Sequence, residues 1–217
     1  MPSPVTRRAP DRSAALAQYR RRAKVYDAEL ALFEPIRTDA IAALHLRAGA
    51  TVLDVGCGTG LSFAPLQQRV HDTGRIVGIE QSPEMMARAR ARVQENHWDN
   101  VELVCAPAAT AQVRGRADAA LFHFTHDILR EDAALANMLS HLKPGARVVA
   151  SGLQWAQPWA WPTNSFVMLA AMYSVTSFEG LGNPWSKLAP WLDQFEVQHA
   201  LMGGIYIASG VYRPSLH

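Results

Sequence analysis

Four groups of residues have types and spacings suited to chemistry. In the run Asp54-Val-Gly-Cys-Gly-Thr-Gly60, three glycines alternate directly after an apolar stretch. Glycine lets the backbone take unusual dihedrals there and lets a ligand lie against it. A helix starting at residue 61 would turn its first N–H groups towards an anionic or carboxylate group. Glu80 ends the next apolar run, where a carboxylate can accept hydrogen bonds from both hydroxyls of a ribose. In Leu121-Phe-His-Phe-Thr-His-Asp127, Thr125 is placed to cap a helix whose first turn holds His126. The positive end of that helix disfavours the imidazolium and keeps the ring neutral, as a general base requires. A histidine that only hydrogen-bonds locally is the plainer alternative. His123 and His126 suggest a metal pair, but strand alternation separates them and nothing completes four ligands, so no metal is expected. Asp127 is expected to stabilise the helix start. The fourth group is the aromatic set Trp155, Trp159, Trp161, Tyr173, Phe178, Trp185 and Trp191. It could wall a pocket for a flat molecule or an amine, or pack as a small core.

These residues need elements to hold them. Apolar runs at 51–55, 75–80, 101–105, 119–124 and 147–153 read as strands, and 61–70, 83–95 and 127–142 between them read as helices. Such alternation implies βαβ units and a parallel sheet covered on both faces. Pro144-Gly145 is a turn that launches the fifth strand. Residues 196–201 and 204–209 read as a final antiparallel pair. Residues 13–46 carry apolar positions at helical spacing, interrupted near Pro35. The expected organisation is a disordered tail over 1–13, a helical lid over 14–46 and a core over 47–153. An aromatic-rich lobe over 154–192 and the last strand pair over 193–217 complete it.

The glycine loop is G-x-G-x-G. The dinucleotide fingerprint is G-x-G-x-x-G, and Leu61 stands where its third glycine would fall. The loop resembles motif I of the class I, Rossmann-like S-adenosylmethionine-dependent methyltransferases. Gly78-Ile-Glu-Gln-Ser-Pro-Glu-Met-Met86 resembles their second motif, residues 118–127 their fourth strand and active-site loop, and His141-Leu-Lys-Pro-Gly-Ala-Arg147 the turn before the fifth. The resemblance covers roughly residues 40 to 153 and the final strand pair. It implies an α/β three-layer sandwich with a seven-stranded, mostly parallel sheet. It also implies S-adenosylmethionine as cofactor and S-adenosylhomocysteine as product. Asp54 with the backbone of Gly56, Cys57, Gly58 and Gly60 would then hold the methionine portion. Glu80 would take the ribose, and Gln81 and Met85 would flank the adenine. The family often has an acidic residue after the third strand; here Cys105-Ala-Pro-Ala-Ala109 leaves only backbone groups of Pro107 and Ala108. Phe122 and His123 complete the expected cofactor set. Tyr19 and Tyr26 resemble lid tyrosines that close over the sulfonium and join His126 as catalytic candidates. Phe124, Trp155, Trp159, Tyr173 and Trp185 are the expected acceptor contacts.

Composition narrows the rest. The chain has 217 residues, a formal charge of +2 and two cysteines. Near-neutral charge argues against nucleic acid as partner. Cys57 and Cys105 sit in apolar contexts and are expected to be buried and unpaired, as in a reducing compartment. The first residues lack an apolar signal segment and no run is long enough to span a bilayer, so a cytoplasmic protein without membrane insertion is expected. Arg7, Arg8, Arg12, Arg20, Arg21, Arg22 and Lys24 crowd the start; a solvated face is the plain reading, a membrane or phosphate contact the other. The expected activity is methyl transfer to nitrogen or oxygen of a small molecule by in-line displacement. A lipid or quinone-head methyltransferase at a membrane surface is the alternative, and a non-catalytic S-adenosylmethionine-binding module ranks below it. A nicotinamide oxidoreductase is disfavoured by the glycine spacing. Exposed aromatics leave room for a homodimer.

Overall fold

The computed structural model describes residues 33–174 and 178–214, with the side chains of 171–174 outside the description. Tyr19, Tyr26, the side chain of Tyr173 and most of the expected tail and lid therefore lie outside the described residues.

Seven strands form one sheet: β1 (Thr51–Val55), β2 (Arg75–Glu80), β3 (Val101–Cys105), β4 (Ala117–His123), β5 (Leu142–Leu153), β6 (Leu192–Ala200) and β7 (Ile205–Tyr212). Their spatial order is β3-β2-β1-β4-β5-β7-β6. Pairings through β5 are parallel, and β7 runs antiparallel to both β5 and β6. The order reverses between β1 and β4, so the crevice beyond their carboxyl ends is where ligands gather in such sheets. Glu80 lies opposite Cys105, and Asp54 opposite both Gly78 and Leu121. This brings the glycine loop, Glu80 and the end of β4 to one rim.

Strand alternation divides the core. Leu53, Val55, Val77, Ile79, Phe122, Val148 and Ala150 bury into one face. Val52, Ile76, Ala119, Leu121 and Val149 bury into the other. Helices α1 (Glu34–Ala43), α2 (Phe63–Val70) and α3 (Pro83–Glu95) cover the second face through Ile41, Leu66 and Met86. Pro35 lies in the first turn of α1, where its missing N–H costs nothing. Ser82 caps α3 by accepting from the Met85 N–H at 3.3 Å.

One expected helix, over 127–142, is instead two: α4 (His126–Leu129) and α5 (Asp132–Ser140), with Glu131 extended between them. A straight helix would set Leu129 about 180° from Met138. The break lets both enter the same core with Leu135 and Leu139. The strand after it begins at Leu142 rather than 147, because Pro144-Gly145 lies at a register shift within the β4–β5 pairing. The aromatic segment forms helix α6 (Trp161–Ser174) and a run of turns. It supplies Val167 and Leu181 to one layer and Leu188 to the other.

Cys57 is buried as expected, but Cys105 is exposed. It stands at the end of an edge strand, where apolar neighbours in sequence do not ensure cover.

Candidate functional site

The loop after β1 takes its shape from its glycines. Gly56, Gly58 and Gly60 have φ of 74°, 57° and 79°, backbone that side chains rarely tolerate. A Cβ on Gly56 would stand 2.5 Å from Thr125 Cγ2. The Gly56 and Cys57 N–H groups donate to the Ile79 carbonyl at 2.8 and 3.0 Å, pinning the loop to β2.

Glu80 follows on β2. Its Oε2 accepts from the Gly58 N–H at 3.1 Å and its Oε1 from the Ser82 N–H at 2.7 Å. A carboxylate has about four acceptor positions, so capacity remains for a ribose hydroxyl. Burial raises the Glu80 pKa, and the backbone N–H groups of Ser82, Gly58 and Gln81 oppose that rise.

A cleft opens beside this loop, lined among others by Arg37, Asp54, Ser62, His123 and Phe124. Asp54, 2% exposed, has its Oδ2 without a partner. Burial lifts its pKa to about 7, with Arg37 pulling it down and Glu80 adding to the rise. Arg37 is equally buried and pairs with Glu34, yet its Nε has no partner. His123 Nδ1 lies 2.8 Å from the Ser151 hydroxyl, while its Nε2 is buried and unpartnered. Burial and Arg37 push that ring down to about 3, so it is neutral at pH 7. Unmatched acceptor and donor groups in one cleft suit a polar ligand that carries both an ammonium and a carboxylate. The methionine end of S-adenosylmethionine has that chemistry, and the Glu80 carboxylate suits its ribose. The residues present therefore fit the cofactor.

A second, smaller hollow adjoins across Phe124, which lines both. Its walls include Phe124, His126, Ser151, Leu181 and Tyr206. Phe124 has φ of 56°, a strained value for an aromatic residue and a common mark of functional sites. Thr125 stands at the head of α4, but its side chain makes no capping bond and its Oγ1 is unpartnered, so the expected cap is absent. His126 nevertheless sits in the first turn, 7% exposed, with Nε2 3.0 Å from the Glu179 carbonyl oxygen. Its pKa is lowered, chiefly by burial. His123 and His126 line separate cavities, and no group of three or more metal-ligating side chains gathers among the described residues.

The remaining expected residues divide. Asp54, Gly56, Cys57, Gly58, His123 and Phe124 line the cofactor cleft, and Glu80 borders it through Gly58. Met85 and Ala108 are buried in the protein interior, and Gln81 is partly buried beside Glu80. The Phe122 side chain points from the opposite face of β4 into the core and lines neither cavity. Trp159 is 74% exposed and lines neither cavity. Trp155 stacks on Phe178 with centroids 6.1 Å apart, and Trp185 packs on Tyr206 at 4.9 Å. Both lie outside the two cavities, and the layers they join are on opposite faces of the sheet. Arg37, Ser151, Leu181 and Tyr206 were not anticipated. Only the register, which sets Tyr206 opposite Gly152, brings Tyr206 to the cavity.

Comparison with known proteins agrees with this architecture. Residues 52–145 match the model of a methyltransferase domain family. A trans-aconitate 2-methyltransferase from an Azoarcus species is 35% identical over 109 residues, which is 49% of this chain and 40% of that protein. A 23S rRNA (uracil(1939)-C(5))-methyltransferase from Acinetobacter baylyi is 48% identical over 59 residues, covering 27% of this chain and 13% of that protein. The crystal structure of the N-methyltransferase NodS from Bradyrhizobium japonicum, in complex with S-adenosylhomocysteine, superposes with a TM-score of 0.60. The identity is 16%, over 84% of this chain and 88% of that one. The chain spans about a third or less of the length of the first curated relatives it matches.

Proposed function

We propose that this chain, whose residues 52–145 match a methyltransferase domain family, is a class I, Rossmann-like S-adenosylmethionine-dependent methyltransferase that transfers a methyl group from S-adenosylmethionine to nitrogen or oxygen of a small molecule. One observation carries this reading. A buried carboxylate and a buried guanidinium, Asp54 and Arg37, each keep an unpartnered atom in a single cleft beside the glycine loop.

Asp54 would accept from the ligand's ammonium, Arg37 would donate to its carboxylate, and Glu80 would take the ribose hydroxyls. Gln81 and Met85, with the backbone of Pro107 and Ala108, would border the adenine. When bound, the cofactor supplies an electrophilic methyl on a sulfonium whose departure leaves a neutral thioether. The chain's own task is alignment and exclusion of water, since holding two reactants in line supplies much of such an acceleration. Phe124 stands where cofactor cleft and neighbouring cavity meet, so its ring and strained backbone would define the approach to the methyl.

A small acceptor is supported by a net charge of only +2, since nucleic-acid binders carry a basic surface. Calorimetric titration with S-adenosylmethionine, S-adenosylhomocysteine and NADH tests the reading. Binding of the first two is expected, and binding of NADH alone would overturn it.

A further inference from the structure

The aromatic segment presents a surface that the cofactor cleft does not use. In α6, Thr163 and Val167 face the turn after β6: a Cβ on Gly204 would stand 2.6 Å from Thr163 Cγ2 and 3.1 Å from Val167 Cγ2. At about 100° per residue, Trp161, Met168 and Leu169 all point within about 60° of the opposite direction. These three, with Trp159 just before the helix and Leu201 and Met202 in the turn, are between 46% and 74% exposed. Little on that outer side asks for water. Ser165 lies there too, but its hydroxyl donates to the Trp161 carbonyl at 3.0 Å, and the Asn164 side chain bonds the Ala156 backbone. Leu201 and Met202 have φ of 49° and 51°, consecutive strained values of the kind that persist at functional surfaces.

A helix apolar on every side normally has cover on every side, and the charge pattern indicates what covers this one. Residues 154–178 and 200–212 contain no Asp, Glu, Lys or Arg, so immersing this face desolvates no charge of theirs. With 14 residues, α6 is too short to cross the hydrocarbon core of a bilayer. It suits the plane of the interface, where tryptophan is enriched. The first 24 residues, by contrast, hold seven basic side chains against one acidic, Asp11. That stretch leads into the described structure at Phe33, whose ring centroid lies 6.2 Å from that of Phe166 on α6. The basic stretch is thus tethered beside the apolar face.

We infer that the outer face of α6, with Trp159 and the Leu201–Met202 turn, docks on an anionic lipid bilayer, the basic stretch before Phe33 meeting the phosphate headgroups. A single apolar contact gives only marginal, reversible attachment, and a basic cluster supplies the second attraction that makes it stable. A second copy of the chain would cover the apolar face but leave both basic stretches unmatched. Docking does not require methyl transfer. The ring row Phe166, Phe33 and Phe124 nevertheless connects the docked face to the wall of the cofactor cleft, the Phe33 and Phe124 centroids being 4.8 Å apart.

The test is sedimentation of the full chain with sucrose-loaded vesicles, of phosphatidylcholine alone and of phosphatidylcholine mixed with phosphatidylglycerol. The mixed vesicles should bind at least about tenfold more tightly, and added salt should erase the difference. Leu169→Glu should weaken mixed-vesicle binding at least about tenfold, the scale of one lost apolar contact. Its thermal melting should match wild type, because the side chain is exposed. The triple variant Arg20→Gln, Arg21→Gln, Arg22→Gln should lose about a hundredfold on mixed vesicles and nothing on phosphatidylcholine. Mixed vesicles should also shift tryptophan emission to shorter wavelength, and the double variant Trp159→Phe, Trp161→Phe should dock with that shift diminished. No sedimentation with mixed vesicles, equal binding to both compositions, or indifference to Leu169→Glu would each overturn the inference. So would a dimer that Leu169→Glu dissociates, or a melting temperature that Leu169→Glu lowers, since the face would then be covered by a second copy or by the chain's own N-terminal segment.

Discussion

Asp54→Asn isolates the electrostatic core of the cofactor cleft. The Asp54 carboxyl is buried and its pKa stands at about 7, against an ordinary value near 4 for aspartate in the unfolded chain. Between those values the folded state holds a proton that the unfolded state has released, so stability falls as pH rises and levels off above 7. From pH 5.5 to 8.5 the folded carboxyl loses its proton across about 1.5 units of that window. At about 1.4 kcal/mol per unit, wild type should lose about 2 kcal/mol from this group. Glu80, also raised, adds in the same direction. His123 and His126, both lowered, contribute the opposite slope below their unfolded value, so the wild-type profile alone is not diagnostic. The difference between wild type and Asp54→Asn is, because asparagine mimics the protonated form and carries no slope. Urea denaturation of the ligand-free proteins at both pH values should find Asp54→Asn gaining about 2 kcal/mol on wild type between pH 5.5 and 8.5. Parallel profiles, within about 0.5 kcal/mol, would refute the argument that Asp54 is held protonated until an ammonium arrives to claim it.

Glu80→Ala should weaken S-adenosylhomocysteine binding about a hundredfold, two charge-assisted hydrogen bonds at about 1.5 kcal/mol each; calorimetry giving an unchanged Kd would remove Glu80 from the ribose site. Arg37→Met should cost S-adenosylhomocysteine about tenfold in affinity while leaving 5′-methylthioadenosine, which lacks the carboxylate, unaffected. Equal losses for both ligands would make Arg37 a folding residue only. Gly56→Ala should destabilise the fold by about 2–4 kcal/mol, from left-handed strain and collision with Thr125 Cγ2 at 2.5 Å. Adding Thr125→Ser should restore part of the loss in thermal melts, and no recovery would show that the contact is not the cause.

The sequence was legible where function is local in the chain. The glycine loop, Asp54 and Glu80 lie within 27 consecutive residues of alternating strand and helix, and a parallel pairing of adjacent strands brings their carboxyl ends together with no further information. The position of His126 was legible for the same reason, since β4 must end at that rim. Alternation turns the Phe122 side chain to the core where His123 faces the cleft, and Cys105, expected to be buried, is exposed because β3 has a neighbour on one side only. What remained was decided by tertiary packing. Arg37 reaches the cleft because α1 lies across the sheet, with the Arg147 Nε donating to the Ala43 carbonyl at 3.0 Å, a contact across 104 positions that no periodicity announces. Tyr206 and Gly152 meet through strand register, while Trp159 and Trp161 face outward although their composition matches that of buried aromatics. Residue type sets what a side chain can do in contact with a ligand. Whether it makes that contact depends on which surface the rest of the chain leaves uncovered.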